Sequence, residues 1–256
     1  MNTNIKPIQA QAHLERQARI DLAACHRIAA RFALHEAIDN HMTLLVPGCA
    51  DRFYLAPFGM HWSEIKASDF CEVDLSGRLV AGKGPIEPTA LYIHAPVHRL
   101  APRARCVLHT HMPYATALTM LEPPGLRMAV QSAVMFHEDI AFVDYNGLAY
   151  DQSEGERLAH SLGNKSVLMM RNHGVLVIGK TVPHAFEQLY YLERAAQAQV
   201  LAMSTGRPLH DIPLAVVQST LAQFSEGAEV GGVDRADLHF AALKRMLDRS
   251  EPDYAT

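Results

Sequence analysis

Residues 166–179 read SVLMMRNHGVLVIG. Two apolar runs rich in Val, Leu, Ile and Met are broken at Asn172-His173-Gly174. Each run has the length and β-branched content of a buried strand rather than a helix. A histidine in the break needs a reason, because a buried imidazole without a partner is unfavourable. Gly174 is read as giving the backbone a conformation barred to other residues. Upstream, ARCVLHT (104–110) reads as another buried strand, and PYATALTML (113–121) as a helix with proline in its first turn.

Around these runs, residues 9–37 place Leu14, Ala18, Leu22, Cys25 and Ile28 at helical steps of three and four. After the polar break Asp39-Asn40, HMTLLVPG (41–48) and RFYLAPFG (52–59) read as strands, and FCEVDLSGRLVAG (70–82) as a hairpin around Ser76-Gly77. PTALYIHAPVHRLAP (88–102) reads as a helix ended by Pro102, with Pro96 as an objection inside it. AVMF (133–136) and IAFVDY (140–145) read as short strands. A helix over 153–162 has Ser153 as N-cap and Gly163 just past its end, and a long helix from Thr181 runs to 204. Residues 206–233 read as irregular, and 234–247 as a last helix. There is no internal repeat. The pattern predicts one α/β/α layered domain with a mixed or mainly antiparallel sheet. No Gly-x-Gly-x-x-Gly follows a strand, which argues against a parallel dinucleotide-binding fold.

The 256 residues carry a net charge of −4, so a nucleic-acid partner, which calls for a basic patch, is not expected. No run of 18 apolar residues occurs, and no membrane span is expected. The N-terminus MNTNIKPIQAQAHLERQ lacks the layout of a signal peptide. Cys25, Cys49, Cys71 and Cys106 form no Cys-x-x-Cys and read as reduced thiols of a cytoplasmic protein. The compositional outlier is histidine, with 15 residues.

Two of these lie in CVLHTHMPYA (106–115). Residues two apart on a strand point to one face, so His109 and His111 present two imidazoles side by side. Neutral imidazole is a common ligand of divalent transition metals. His173, in its turn between two buried runs, is the candidate third ligand. With so many histidines a His-x-His is unremarkable by itself, and a strand-end pair beside a satisfied turn histidine explains the same spacing. His94 and His98 stand i,i+4 on the helix but lack the Glu of a His-Glu-x-x-His site, and read as packing residues. Trp62 and Met169-Met170 read as core, and Arg171 as the partner of a structural acid.

Taken together, DNHMTLLVPG, LAPFGMHWSEIKASDFCEVDLSG, HAPVHRLAPRARCVLHTHMPYATAL, IAFVDYNGLAYD, SVLMMRNHGVLVIG and FAALKRMLDR resemble the class II aldolase/adducin family over roughly residues 20–250. The flavour is that of the adducin-head branch. The resemblance implies a three-layer α/β/α sandwich around a nine-stranded, mainly antiparallel sheet, assembled as a homotetramer. It divides the chain into an N-terminal helical extension, 1–38, and a family domain, 39–256, in one globular unit. It implies a divalent metal on His109, His111 and His173.

Departures from the aldolases matter as much. Their proton-transferring Glu stands nineteen residues before the first metal histidine, where this chain has Ala90; Glu87 is offset by three. Pro88 and Thr89 replace two phosphate-binding serines. Asn40, Thr43, Phe58, Gly59 and Gln131 fall where aldolase substrates bind and are the candidate substrate-binding residues. His137, Glu138 and Tyr254 are candidate substitutes for the missing acid.

A metal without its partner acid gives three expectations. The first is a three-His Fe(II) dioxygenase, similar to pyruvic oxime dioxygenase, acting with O2 on a small chelating 2-oxo, oximino or hydroxy acid. The second is a Zn- or Mn-dependent C–C lyase, an aldolase or decarboxylase, on a non-phosphorylated acid. The third is a non-catalytic adducin-like interaction protein.

Overall fold

In the computed structural model, which describes residues 5–256, the chain opens with helix α1 (Ile5–Arg31). Four strands follow as two hairpins, β1 (His41–Leu45) with β2 (Arg52–Leu55) and β3 (Cys71–Asp74) with β4 (Leu79–Ala81). Helix α2 (Pro88–Leu100) leads to β5 (Cys106–Thr110), then α3 (Pro113–Thr119) and the single turn α4 (Gln131–Val134). Next come β6 (Ile140–Val143), α5 (Gln152–Leu162), β7 (Val167–Met170) and β8 (Gly174–Gly179). The chain closes with α6 (Val182–Met203), α7 (Leu214–Glu226), the short ladder β9 (Glu229–Val230) and β10 (Val233–Asp234), and α8 (Arg235–Ser250).

The main sheet runs β4-β3-β2-β1-β5-β8-β7-β6. Only β6 and β7 pair in parallel. The sheet thus has eight strands where nine were expected, because β9 and β10 pair with each other rather than with it. Strand alternation sorts side chains between two helical layers. Met42, Leu44, Cys106, Leu108, Val175 and Val177 face the core shared with α1, α6 and α8. Val107, Leu168, Leu176 and Ile178 face the core shared with α2 and α5. The second half of α1, from Leu22 to Ala29, is buried in the first of these cores and is no detached appendage.

Pro96 does not end α2. It withholds a donor from the Tyr92 carbonyl, and that carbonyl is where α5 crosses: a Cβ on Gly155 would lie 1.8 Å from it. The small residue and the interrupted helix are therefore one feature, letting α2 and α5 pack closely.

Three local expectations are corrected. AVMF forms the end of α4 and a following turn, not a strand, with Ala133 and Val134 buried in helical conformation. The N-cap of α5 is Asp151, whose carboxylate accepts from the Glu154 N–H, rather than Ser153. Residues 206–233 contain α7, a helix of 13 residues with only Val217 buried.

Candidate metal centre

β5 is antiparallel to both β1 and β8, with His109 opposite His41 and Leu176. Its last residues therefore lie beside the start of β1, the start of β8 and the turn that joins β7 to β8. That turn is tight. Asn172 adopts φ +55, a left-handed conformation that asparagine tolerates better than most side chains. Gly174 is needed for a different reason from the one expected. It has no positive φ, but a Cβ there would lie 2.6 Å from the Thr110 carbonyl oxygen and 2.7 Å from the His111 ring. Glycine lets the turn close onto β5 and brings His173 to the His-x-His pair. We expect Gly174→Ala to displace β8 from β5 at this point. The predicted loss is about 1–3 kcal/mol of stability in urea titrations, with metal stoichiometry falling below one ion per chain.

His109, His111 and His173 each offer a nitrogen within 4.8 Å of the other two. The His109 Nδ1–H donates to the Val175 carbonyl at 3.0 Å, and the His111 Nδ1–H to the Glu36 carboxylate at 2.6 Å. With both rings neutral, each Nε2 is then a bare lone pair, and the two lie 3.2 Å apart. Two facing lone pairs repel unless a proton or a metal ion lies between them. The separation suits a cation about 2.0–2.1 Å from each nitrogen. Burial also holds His109 neutral, pushing its pKa well below the ordinary value with help from the surrounding imidazoles. His173 is lowered to about 4, first by burial and then by His111. His109 and His173 thus present nitrogen donors that need not release protons to bind a metal.

Glu36 was not singled out from the sequence. It sits in the polar break after α1, where no periodicity marks it, yet its hydrogen bond fixes the tautomer and orientation of His111. Removal of such a partner typically weakens metal binding about 10–100-fold. We expect that range for Glu36→Ala by competition against a chelator, with the fold intact because Glu36 is exposed.

The other site candidates separate. Asn40 is buried, its Oδ1 accepting from the backbone N–H of both Glu36 and His111. Its Nδ2 is buried without a partner among the described residues. With His41, Phe58, Gly59, Glu87 and Ala90 it lines a cavity of about 20 Å³ next to the histidine cluster, roughly enough for one water-sized group. Thr43 lies deeper. It is fully buried, and its hydroxyl lies between His94 at 2.6 Å and His98 at 2.8 Å, beneath α2 rather than at the mouth. Gln131 is exposed at the start of α4 and does not line this cavity. His137 and Glu138 precede β6, at the end of the β6–β7 pair opposite to His173. Tyr254 is buried in the other core, its hydroxyl donating to Asp248. None of these last three reaches the cluster within the chain.

Ala90 is fully buried. The Glu87 carboxylate folds back over it as N-cap of α2, accepting from the Ala90 N–H and from the Thr89 hydroxyl at 2.5 Å. A carboxylate is thus delivered to the neighbourhood of position 90 from one helical turn earlier. As expected, Trp62 is core, packed edge-on to His26 and stacked on His35. Arg171 pairs with Glu122 and Asp144. All four cysteines are free.

The family model for the Class II Aldolase and Adducin N-terminal domain matches residues 20–200. The chain belongs to the class II aldolase/adducin family. An aldolase class 2 family protein of Caulobacter vibrioides is 35% identical, over 94% of this chain and 93% of its own. Mouse alpha-adducin is 30% identical over 91% of this chain, but this chain spans only 33% of its length. The crystal structure of an aldolase II superfamily protein from Pseudomonas syringae superposes with a TM-score of 0.87 at 34% identity, covering 95% of this chain and 96% of that one. This class II aldolase/adducin chain has a central sheet with helices on both faces. No described helix is long and apolar enough to cross a membrane.

Proposed function

We propose that the protein is a divalent-metal enzyme acting on a small acid that chelates through neighbouring oxygens, with C–C bond cleavage or decarboxylation as its chemistry. The observation that carries this reading is the meeting of His109 and His111 through their Nε2 atoms, 3.2 Å apart, with His173 beside them and all three nitrogens within 4.8 Å of one another. Those three residues would hold the ion. When bound, it would supply Lewis-acid polarisation of a carbonyl or hydroxyl oxygen. The chain's own groups bind and orient: Asn40 offers a hydrogen-bond donor, while Phe58 and Gly59 close the pocket wall. Among the described residues no Lys or Arg lines the cavity, which suits a non-phosphorylated acid. Small-molecule chemistry of this kind also agrees with the aldolase names of full-length relatives.

A second reading is an Fe(II) dioxygenase. The donor set favours it in one respect: three imidazole nitrogens and no carboxylate leave open positions for a chelating substrate and O2. The adducin-like alternative, an interaction protein without catalysis, gives the three gathered imidazoles no role. Metal analysis of protein purified without oxygen, followed by assay of pyruvate or CO2 release and of O2 uptake, tests all three. Bound Zn or Mn with product release and no O2 uptake supports the lyase. Bound Fe with substrate-dependent O2 uptake supports the dioxygenase. A chain that binds no metal sinks both. The reading includes a homotetramer in a reducing, cytoplasmic setting, for which light scattering should give four times the mass of the 256-residue chain.

A further inference from the structure

Beneath the metal cluster runs a hydrogen-bonded chain of buried side chains whose direction can be worked out from one end. His98 Nδ1 lies 2.6 Å from the Ala104 carbonyl oxygen, which can only accept, so this nitrogen carries a proton. With the ring neutral, His98 Nε2 is bare. It takes the single hydroxyl proton of Thr43, 2.8 Å away. Having donated to His98, Thr43 Oγ1 can only accept from His94 Nδ1 at 2.6 Å, so that nitrogen is protonated. His94 Nε2 is then bare and accepts from His41 Nδ1 at 2.8 Å. His41, in turn, is left with a bare Nε2. All three rings are buried, which keeps them neutral.

Among the described residues that last lone pair finds no free proton. The Thr89 hydroxyl lies 3.4 Å from His41 Nε2 but only 2.5 Å from Glu87, to which it donates. The Glu87 carboxylate, 3.8 Å from His41 Nε2, is too far for a direct hydrogen bond and brings more lone pairs. Across the same cavity stands Asn40, with a buried Nδ2–H that also lacks a partner among the described residues. Of the groups lining the cavity, His41 Nε2 is thus left as an acceptor and Asn40 Nδ2 as a donor, and the volume suits a single oxygen-sized group.

We propose that this cavity is a subsite for a ligand hydroxyl, which donates its proton to His41 Nε2 and accepts from Asn40 Nδ2, so that the site selects hydroxy or oximino acids over the corresponding 2-oxo acids. The inference rests on the metal-enzyme reading and narrows its substrate class. A hydroxyl satisfies both orphan groups. A carbonyl oxygen satisfies Asn40 but sets its own lone pairs against those of His41. His41 and Asn40 would touch the ligand. Thr43, His94 and His98 are positioning residues, acting by holding His41 in the Nδ1–H tautomer.

The test uses the full chain, labelled with 15N-histidine and loaded with Zn, with metal stoichiometry measured on the same sample. The expected spectrum shows His41, His94 and His98 all as Nδ1–H tautomers, each assigned by its loss in a single His→Gln variant. Saturation with lactate should move the His41 Nε2 signal upfield, towards a hydrogen-bonded nitrogen, while pyruvate leaves it in place. Lactate should bind about tenfold more tightly than pyruvate, the worth of one well-made hydrogen bond. In Thr43→Val, which removes the hydroxyl that orders the chain, the preference should fall to about one with stoichiometry unchanged. A His41 ring carrying its proton on Nε2 in the wild-type protein overturns the proposal, whatever the variant does. So does a His41 signal indifferent to saturating lactate, or a preference that survives in Thr43→Val. Stoichiometry below one ion per chain in the wild type would instead defeat the metal-enzyme reading itself.

Discussion

Metal-free protein should lose a large part of its stability between pH 7 and pH 5. His26, His41 and His98 are fully enclosed, and burial is the largest cause holding each below the ordinary histidine value of 6.5: His26 and His98 at about 4, His41 at about 3. His26 retains one hydrogen bond, from its Nδ1–H to the Leu22 carbonyl, and packs against Trp62 and Phe70. A folded-state pKa below the unfolded value means that the unfolded chain binds the extra proton. The stabilisation from keeping the ring neutral is therefore complete above about pH 6.5. It falls progressively as pH drops from there towards 4 and 3. At pH 5 the linkage amounts to about 2 kcal/mol for each of the three rings, or on the order of 6 kcal/mol together. A domain of this kind has about 5–15 kcal/mol to lose. His94, lowered further by burial and by His41 and His98, acts in the same direction. Urea titrations at half-unit steps from pH 8 to 5 should show the midpoint falling steeply below pH 6.5. A midpoint flat to pH 5.5 would contradict the burial of these rings.

The same rings mark where the sequence was legible and where it was not. Strand periodicity and turn residues identified the β7–β8 hairpin, the β3–β4 hairpin and the long α6, because each rests on local pattern alone. AVMF was misread because four apolar residues fit a buried strand and a helical turn equally well; packing of α4 against α6 decides between them. α7 escaped because Leu214 and Val216 are exposed and a single buried residue leaves no periodic stripe. The histidine cluster could be assembled from spacing and resemblance, since β5 and the β7–β8 turn each carry a visible signal. The hydrogen-bonded chain could not. His94 and His98 stand visibly on one helical face, but their partner Thr43 lies 51 and 55 residues away. It becomes their partner only because β1 pairs with β5 in the register that sets His41 opposite His109 and Thr43 opposite Val107. That register also sets the depth of Thr43. With a side-chain period of two, His41 and Thr43 share a face, but Thr43 lies one step deeper under α2.

His109→Ala should abolish stoichiometric metal binding. Of the three ligand candidates, His109 is the most deeply placed: it is 1% exposed, while His111 and His173 are half-buried. Its ring is oriented from both sides, by the Val175 carbonyl through Nδ1 and by packing on His41 and His173. Removing it deletes one of three nitrogens and leaves a void into which water can enter, so the remaining pair faces a hydrated and less ordered site. The loss should exceed the 10–100-fold expected when only an orienting partner such as Glu36 is removed. The variant would also lack one buried imidazole that must stay neutral, and its fold should be less sensitive to acid than the wild type. Metal content after dialysis, together with the pH dependence of urea unfolding, separates these two effects. Loss of metal with a folded, less acid-sensitive chain is the expected result. Retention of one ion per chain would show that the facing nitrogens of His109 and His111 are not the metal site, and the proposed chemistry would lose its centre.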